Sequence, residues 1–306
     1  MRLVVAKGQE LFLYSFPNHP FNNERLTPFY EGLPKEIVTI KPALARESEL
    51  ELFHTKKYID FVKQMSKTGE DYLDYGDTPA FKGCYEAACW SAGTTLQLTK
   101  DILAKKYEHG FNPTGGLHHA REDRAGGFCI FNDAAIAIKY LLNKNLKVAY
   151  IDTDAHHGDG VFYAFENVPE VIIADIHQHP LTLYPGTGFE YETGKSSAEG
   201  TKLNLPLAPG SGDEEFRTAF DKVIEFLSKF SIDFIIWQAG ADGLDEDPLT
   251  ALSYTIKSHG YAAKALHKLA HEKCTGRLLM LGGGGYNPQG TANAWLEAIK
   301  ILDQSF

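Results

Sequence analysis

The stretch YIDTDAHHGDG, residues 150–160, decides how this chain is read. Asp152, Asp154, His156, His157 and Asp159 crowd together directly after the apolar run KVAYI. Burying unpaired charges costs several kcal/mol each, so a strand ending on three carboxylates and two imidazoles needs a compensating partner. A metal ion is the economical one. Side chains alternate along an extended segment, which puts residues 152, 154 and 156 on one face. An Asp-x-His pair there offers two ligands, and Asp242, after DFIIWQAGA, is the natural third. Two carboxylates and an imidazole suit zinc with one position left open for water. Turn and cap chemistry explains Asp159-Gly160 taken alone, but not the whole cluster.

Outward from this stretch, helical patterns alternate with short apolar runs from about residue 85 onward. EAACWSAGTTLQLTKDIL and NDAAIAIKYLLNK read as helices, as do DEEFRTAFDKVIEFLSKF and SYTIKSHGYAAKALHKLAHE. KVAYID, EVIIADI, DFIIWQAG and RLLMLGG read as strands buried on both faces. This alternation predicts an α/β fold, three layers (α/β/α) with a mostly parallel sheet. No linker-like, repetitive or low-complexity segment interrupts it, so residues 1–306 are expected to form one domain. Ligands of open parallel sheets bind at the carboxyl ends of the strands. Four strands here run into polar residues at that end: Asp152 and Asp154, Asp175 and His177, Asp242, and GGGGYN.

Composition excludes several classes. The net charge of −10 argues against phosphate-backbone binding and is compatible with a cationic substrate. No window reaches the ~18 uninterrupted apolar residues of a membrane helix, and no secretory signal is legible, so the expected compartment is the cytoplasm. The four cysteines, at 84, 89, 129 and 274, include no C-x-x-C pair and are expected as free thiols.

The paired histidines of GGLHHAREDRAGGFC suit a different task. A hydrolase using a metal-activated water needs a base near neutral pH, which His provides, and each imidazole needs a carboxylate to fix its tautomer. Asp152 and Asp159 are the spare carboxylates. LGGGGYNP lacks the following Lys-Ser or Lys-Thr of a phosphate loop. Its glycines allow the backbone to pass close to the site and Tyr286 to point into it, where a phenol can donate to a developing oxyanion.

Together these segments carry a resemblance. NHPFNNERL, ELFHTKKYIDFV, GFNPTGGLHHA, GGFCIFND, YIDTDAHHGDG, YPGTG, QAGAD and LGGGGYN follow the order seen in the zinc-dependent histone deacetylase superfamily, especially its bacterial acetoin-utilisation-type members. The resemblance implies an arginase/deacetylase-like fold and one Zn2+ per chain on Asp154, His156 and Asp242. It implies His119 as general base and acid, His118 as its electrostatic partner, Asp152 and Asp159 as their orienting carboxylates, and His157 as a structural neighbour. Tyr286 would polarise the acyl carbonyl. Phe128 and Tyr184, with Gly127 and Leu249, would line the acyl-lysine tunnel, Asp77 would be a rim carboxylate, and Arg25 an internal channel arginine. A structural K+ is implied through Asp152, Asp154, His156, Asp175 and Ile176. Asp175 departs from the usual serine there, and Thr201 from the tyrosine of a second potassium site, which is therefore not expected.

The implied reaction is removal of acetyl groups from acetylated lysine in peptides or proteins. A small acetylated amine such as an acetylpolyamine is the alternative, disfavoured by Leu249 where some polyamine enzymes carry an acidic gatekeeper. A dinuclear-manganese ureohydrolase would need Asp245 and Asp247 as further ligands, at the wrong spacing from Asp242. A non-catalytic acyl-lysine reader has no use for Tyr286, His118 and His119. Direct contact with nucleic acid or membrane is not expected.

Overall fold

The computed structural model describes residues 3–16 and 19–304, so Asn18 of the NHPFNNERL segment lies outside it. The strands are β1 (Leu3–Ala6), β2 (Val38–Ile40), β3 (His109–Asn112), β4 (Val148–Asp152), β5 (Val171–Gln178), β6 (Lys202–Leu207), β7 (Phe234–Gln238) and β8 (Leu278–Leu281). They form one sheet in the order β2-β1-β3-β8-β7-β4-β5-β6, and every neighbouring pair is parallel. The helices are α1 (Leu26–Gly32), α2 (Glu47–Leu50), α3 (Lys56–Thr68), α4 (Cys84–Leu103), α5 (Asp133–Leu142), α6 (Asp159–Phe165), α7 (Asp213–Ser228), α8 (Ile256–Cys274) and α9 (Pro288–Leu302).

Strands β4, β5, β7 and β8 are buried at every position, as continuous Val/Ile/Leu runs demand when helices cover both faces. α4 and α5 pack on each other, while α7, α8, α9 and α1 form a second connected group; β8 meets both α4 and α8. The four cysteines are free and buried. Among the described residues, no helix is long and apolar enough to cross a membrane.

The four strands expected to deliver polar residues are contiguous in the sheet, β8-β7-β4-β5. Because all run the same way, their carboxyl ends form one edge, and the site is built there. One expectation needs correction. Strand β4 ends at Asp152, and Asp154 and His156 lie in the bend that follows, not on an extended face. Carboxylate-to-amide bonds shape that bend: Asp152 Oδ1 accepts from the Asp154 amide (3.1 Å) and Asp154 Oδ1 from the His156 amide (3.0 Å).

Candidate active site

The loop before α5 carries the two histidines, and the start of that helix holds it in place. Asn132 caps α5 by accepting from the Ala135 amide, while its Nδ2 donates to the carbonyls of His118 and Ala120. Asp133, one residue on, accepts from the amides of Gly116 and Leu117 and from the Thr95 hydroxyl. His118 and His119 are both buried. His118 Nδ1 lies 2.8 Å from Asp152 Oδ2, and His119 Nδ1 lies 2.7 Å from Asp159 Oδ1. Their Nε2 atoms face each other at 3.0 Å. Asp159 is the first residue of α6, and its second oxygen accepts from Arg121 Nη2 at 2.7 Å.

The two imidazoles are driven apart electrostatically. Burial opposes protonation of both. For His118 the carboxylates of Asp152 and Asp154 outweigh it and push the ring up to about 10. His119 is pushed down to about 4 by burial and by the positive charge of His118. One ring is therefore a cation and its neighbour a neutral base at pH 7.

Next to them, three donor atoms converge. His156 Nδ1 lies 3.1 Å from Asp154 Oδ1 and 2.8 Å from Asp242 Oδ2. The remaining carboxylate oxygens are already satisfied: Asp154 Oδ2 accepts from Gln238 Nε2 and the Gly284 amide, both at 2.8 Å, and Asp242 Oδ1 from the Ala155 amide at 2.7 Å. Asp154 and Asp242 are buried; against burial, the neighbouring His118 and His156 hold Asp154 well below the usual carboxylate range, and the proton is held by Asp242 instead. Burial and the Asp154 carboxylate push Asp242 up to about 8, and the two carboxylates overcome burial to push His156 up to about 10. A divalent cation displaces such protons. The donor set therefore fits a metal ion, and these three residues are one of two groups among the described residues that could hold one. Asp247 takes no part, because its carboxylate accepts from the amides of Leu249 (2.9 Å) and Tyr286 (2.8 Å), and Asp245 is exposed. The dinuclear reading thus lacks its second ligand set.

The glycine-rich loop approaches as closely as anticipated. A methyl group on Gly284 would sit 2.6 Å from Asp242 Oδ2 and 2.9 Å from Asp154 Oδ2. Tyr286 follows, anchored by its amide to Asp247 and by the start of α9, whose cap Asn287 accepts from the Gly290 amide. Burial and the Asp242 and Asp154 carboxylates raise its phenol well above the ordinary value, so it stays protonated. The Tyr286 ring meets Phe128 edge-on at 6.0 Å.

With this geometry in view, comparison with known proteins is decisive. The family model described as histone deacetylase domain matches residues 19–302. The chain belongs to the histone deacetylase superfamily. It is 41% identical to the acetoin utilization protein AcuC of Bacillus subtilis, over 93% of this chain and 78% of that protein. It is 34% identical to histone deacetylase 8 of Xenopus tropicalis, over 89% of this chain and 74% of that protein. The crystal structure of an HDAC homolog complexed with SAHA superposes with a TM-score of 0.86 at 31% identity, covering 99% of this chain and 84% of the other. The chain is accordingly a hydrolase acting on acetylated amides, with the arginase/deacetylase-like fold.

The remaining expected residues divide between the exposed surface and the buried interior around this cluster. Phe128 and Gly127 both have positive φ, 68° and 52°, and a methyl group on Gly127 would strike His119 Cδ2 at 2.2 Å. Tyr184 is exposed, with its ring 5.1 Å from that of His119. Leu249 is partly exposed, and Asp77 lies on an exposed turn whose amides are gathered by Asp74 Oδ1. Arg25 is buried beneath the glycine loop, donating to the carbonyls of Gly283 (2.9 Å) and Gly285 (3.1 Å). His157 is buried and pairs with the Thr187 hydroxyl at 2.9 Å. Asp175 stands directly across from Asp152 in the β4–β5 register, next to Ile176, and its carboxylate accepts from the Gly158 amide and contacts His177 Nδ1 at 2.6 Å.

Five contributors were not anticipated from sequence: Gln238 on Asp154, Tyr150 on Asp152 (2.7 Å), Arg121 on Asp159, Asp247 under Tyr286, and His19, whose ring packs 4.4 Å from Phe128. Only Tyr150 had a readable signal, since it lies two residues from Asp152 on the same strand face.

Proposed function

We propose that this deacetylase is a zinc-dependent amidohydrolase acting on the acylated ε-amine of lysine in peptides or proteins. The observation that carries the reading is the convergence of Asp154 Oδ1, His156 Nδ1 and Asp242 Oδ2 beside two carboxylate-held imidazoles. Those three atoms would hold one zinc ion, which when bound supplies Lewis acidity toward the amide carbonyl and an attacking water.

The protein's own groups account for the proton traffic. His119 is neutral at pH 7 and accepts the proton of the attacking water, with Asp159 fixing its tautomer through Nδ1. The other ring nitrogen, Nε2, is the one that takes this proton and then returns it to the departing amine as the C–N bond breaks, leaving acetate and the free ε-amine of the lysine. His118, held cationic by Asp152, stabilises negative charge as it accumulates. Tyr286 donates its phenolic proton in a hydrogen bond to the oxyanion, a contribution of ~3 kcal/mol for donors of this kind. Phe128 and Tyr184 would flank the apolar lysine stem, Gly127 and Leu249 would complete the wall, and Asp77 would accept from substrate backbone amides at the rim. Support for a structural potassium ion comes from the facing buried carboxylates of Asp152 and Asp175, with the Asp154, His156 and Ile176 backbones beside them. One domain over residues 1–306 is supported by the joining of every described strand into one sheet.

The test is acetate release by the zinc-loaded chain from an acetyl-lysine peptide and from N-acetylputrescine, side by side. Preference for the peptide supports the reading. Preference for the polyamine keeps the chemistry but overturns the inference drawn from Leu249, and release from neither contradicts the proposal.

A further inference from the structure

A second cluster of imidazoles lies at the opposite edge of the sheet. His109 opens β3 at its amino end, where it pairs in register with Leu278, the first residue of β8. α8 ends at Cys274, just before β8 begins, so its last turns lie at that same edge. His267 and His271 are in those turns, four residues apart and hence on one helix face. The ring centroids form a nearly equilateral triangle: 5.0 Å from His109 to His267, 5.4 Å from His109 to His271, and 4.8 Å from His267 to His271. His109 Nε2 lies 3.1 Å from His267 Nδ1, and one nitrogen from each ring falls within 4.8 Å of the others.

We propose that His109, His267 and His271 form a second metal site, separate from the catalytic one, that takes a borderline divalent cation such as zinc or nickel.

Spacing makes this cluster more than packed core histidines. Tetrahedral zinc with Zn–N of about 2.0–2.1 Å needs nitrogens about 3.4 Å apart, which the His109–His267 pair already approaches. His271, half-buried near the helix end, has a nitrogen within 4.8 Å of the other two, so a shift of at most about 1.4 Å closes the triangle. A methyl group on Gly276 would lie 3.0 Å from His271 Cε1 and 3.2 Å from Glu108 Cβ, so Glu108 borders the cluster, while the set of mutually close donor atoms is the three imidazoles alone. Imidazole-rich sets of this kind suit zinc, nickel or copper over magnesium or calcium.

The consequence is structural. An ion here ties strand β3 to helix α8 across 158 residues of sequence. Binding only to the folded chain, it raises folding stability by mass action. The total metal content becomes two per chain, one at each edge of the sheet.

The experiment strips the full chain with chelator, reloads it with excess Zn2+, desalts it, and counts bound metal for wild type and His271→Ala. Circular dichroism and deacetylation rates are recorded on the same samples. His271→Gln replaces the alanine variant if that one loses helicity. The expected result is two zinc ions for wild type and one for the variant, with an unchanged deacetylation rate and a smaller zinc-induced rise in Tm. Equal metal content in wild type and variant, whether one or two, overturns the proposal. One ion in wild type and none in the variant supports this site while removing the metal from the catalytic reading, so the two failures are distinguishable.

Discussion

Single carboxylates at this site do more than one job. Asp247 accepts from the backbone amides of both Leu249 and Tyr286, so one side chain sets the position of the two residues proposed above as tunnel wall and oxyanion donor. Asp247→Ala should lower kcat roughly 10- to 100-fold, because sub-ångström misplacement of a reacting group is costly; a kcat unchanged in stopped or continuous assay would refute that role. Tyr286→Phe removes only the hydroxyl. It should reduce kcat by about 10²- to 10³-fold with metal content unchanged, measured by elemental analysis beside the rate. His118, His119, Asp154 and His156 were legible in sequence because their types and local spacing already state a chemistry, and Asp242 because a carboxylate directly follows another buried apolar strand. Gln238 and Asp247 were not. A glutamine ending an apolar strand and one aspartate within DGLDEDP carry no such signal, and their partners, Asp154 and Tyr286, are 84 and 39 residues distant.

Secondary elements were readable where burial is continuous. β4, β5, β7 and β8 stand out as Val/Ile/Leu runs because both faces are covered. β3 is only HGFN, and it is a strand because β1 and β8 pair with it on either side, a tertiary cause invisible locally. β6, KLNLPL, contains Pro206, which is tolerated because β6 closes the sheet at one edge. Its first residue, Lys202, is buried, with its ammonium donating to the carbonyls of Val168 and Val171 and to the Thr201 hydroxyl. The chain thus provides its own cation beside Thr201. Burial lowers this lysine to about 8. An unfolded lysine titrates near ~10.4, so between these values the unfolded chain binds the extra proton and stability rises with pH. Denaturant unfolding at pH 8 and pH 10 should show that rise in wild type and a flatter response in Lys202→Met; identical pH responses would remove Lys202 as the cause. The methionine variant should also be less stable by about 1–3 kcal/mol at pH 7, since it leaves buried carbonyls unpaired.

Across the whole molecule, the all-parallel sheet separates two kinds of edge. Its carboxyl edge gathers buried carboxylates and imidazoles from β4 and β5 and from the segments that follow β3, β4 and β7, an arrangement that destabilises the chain unless cations compensate it. Stability should therefore depend on metal. Chelator treatment should lower Tm and added Zn2+ restore it, while Asp154→Ala should weaken the response by losing its catalytic-site share; a Tm indifferent to chelator would count against metal binding at either edge. Topology was legible in outline, because strand–helix alternation permits few arrangements. The strand order was not, since it depends on which covered faces fit together and on β1 and β2 from the first forty residues, where no alternation shows.

The central claim is that a metal held by Asp154, His156 and Asp242 serves a deacylation carried out by His119 and Tyr286. The most direct test is acetate release from an acetyl-lysine peptide by the same preparation as isolated, after chelation, and after zinc is returned. The account predicts loss on chelation and recovery with zinc. Turnover that persists undiminished in demonstrably metal-free protein would contradict it.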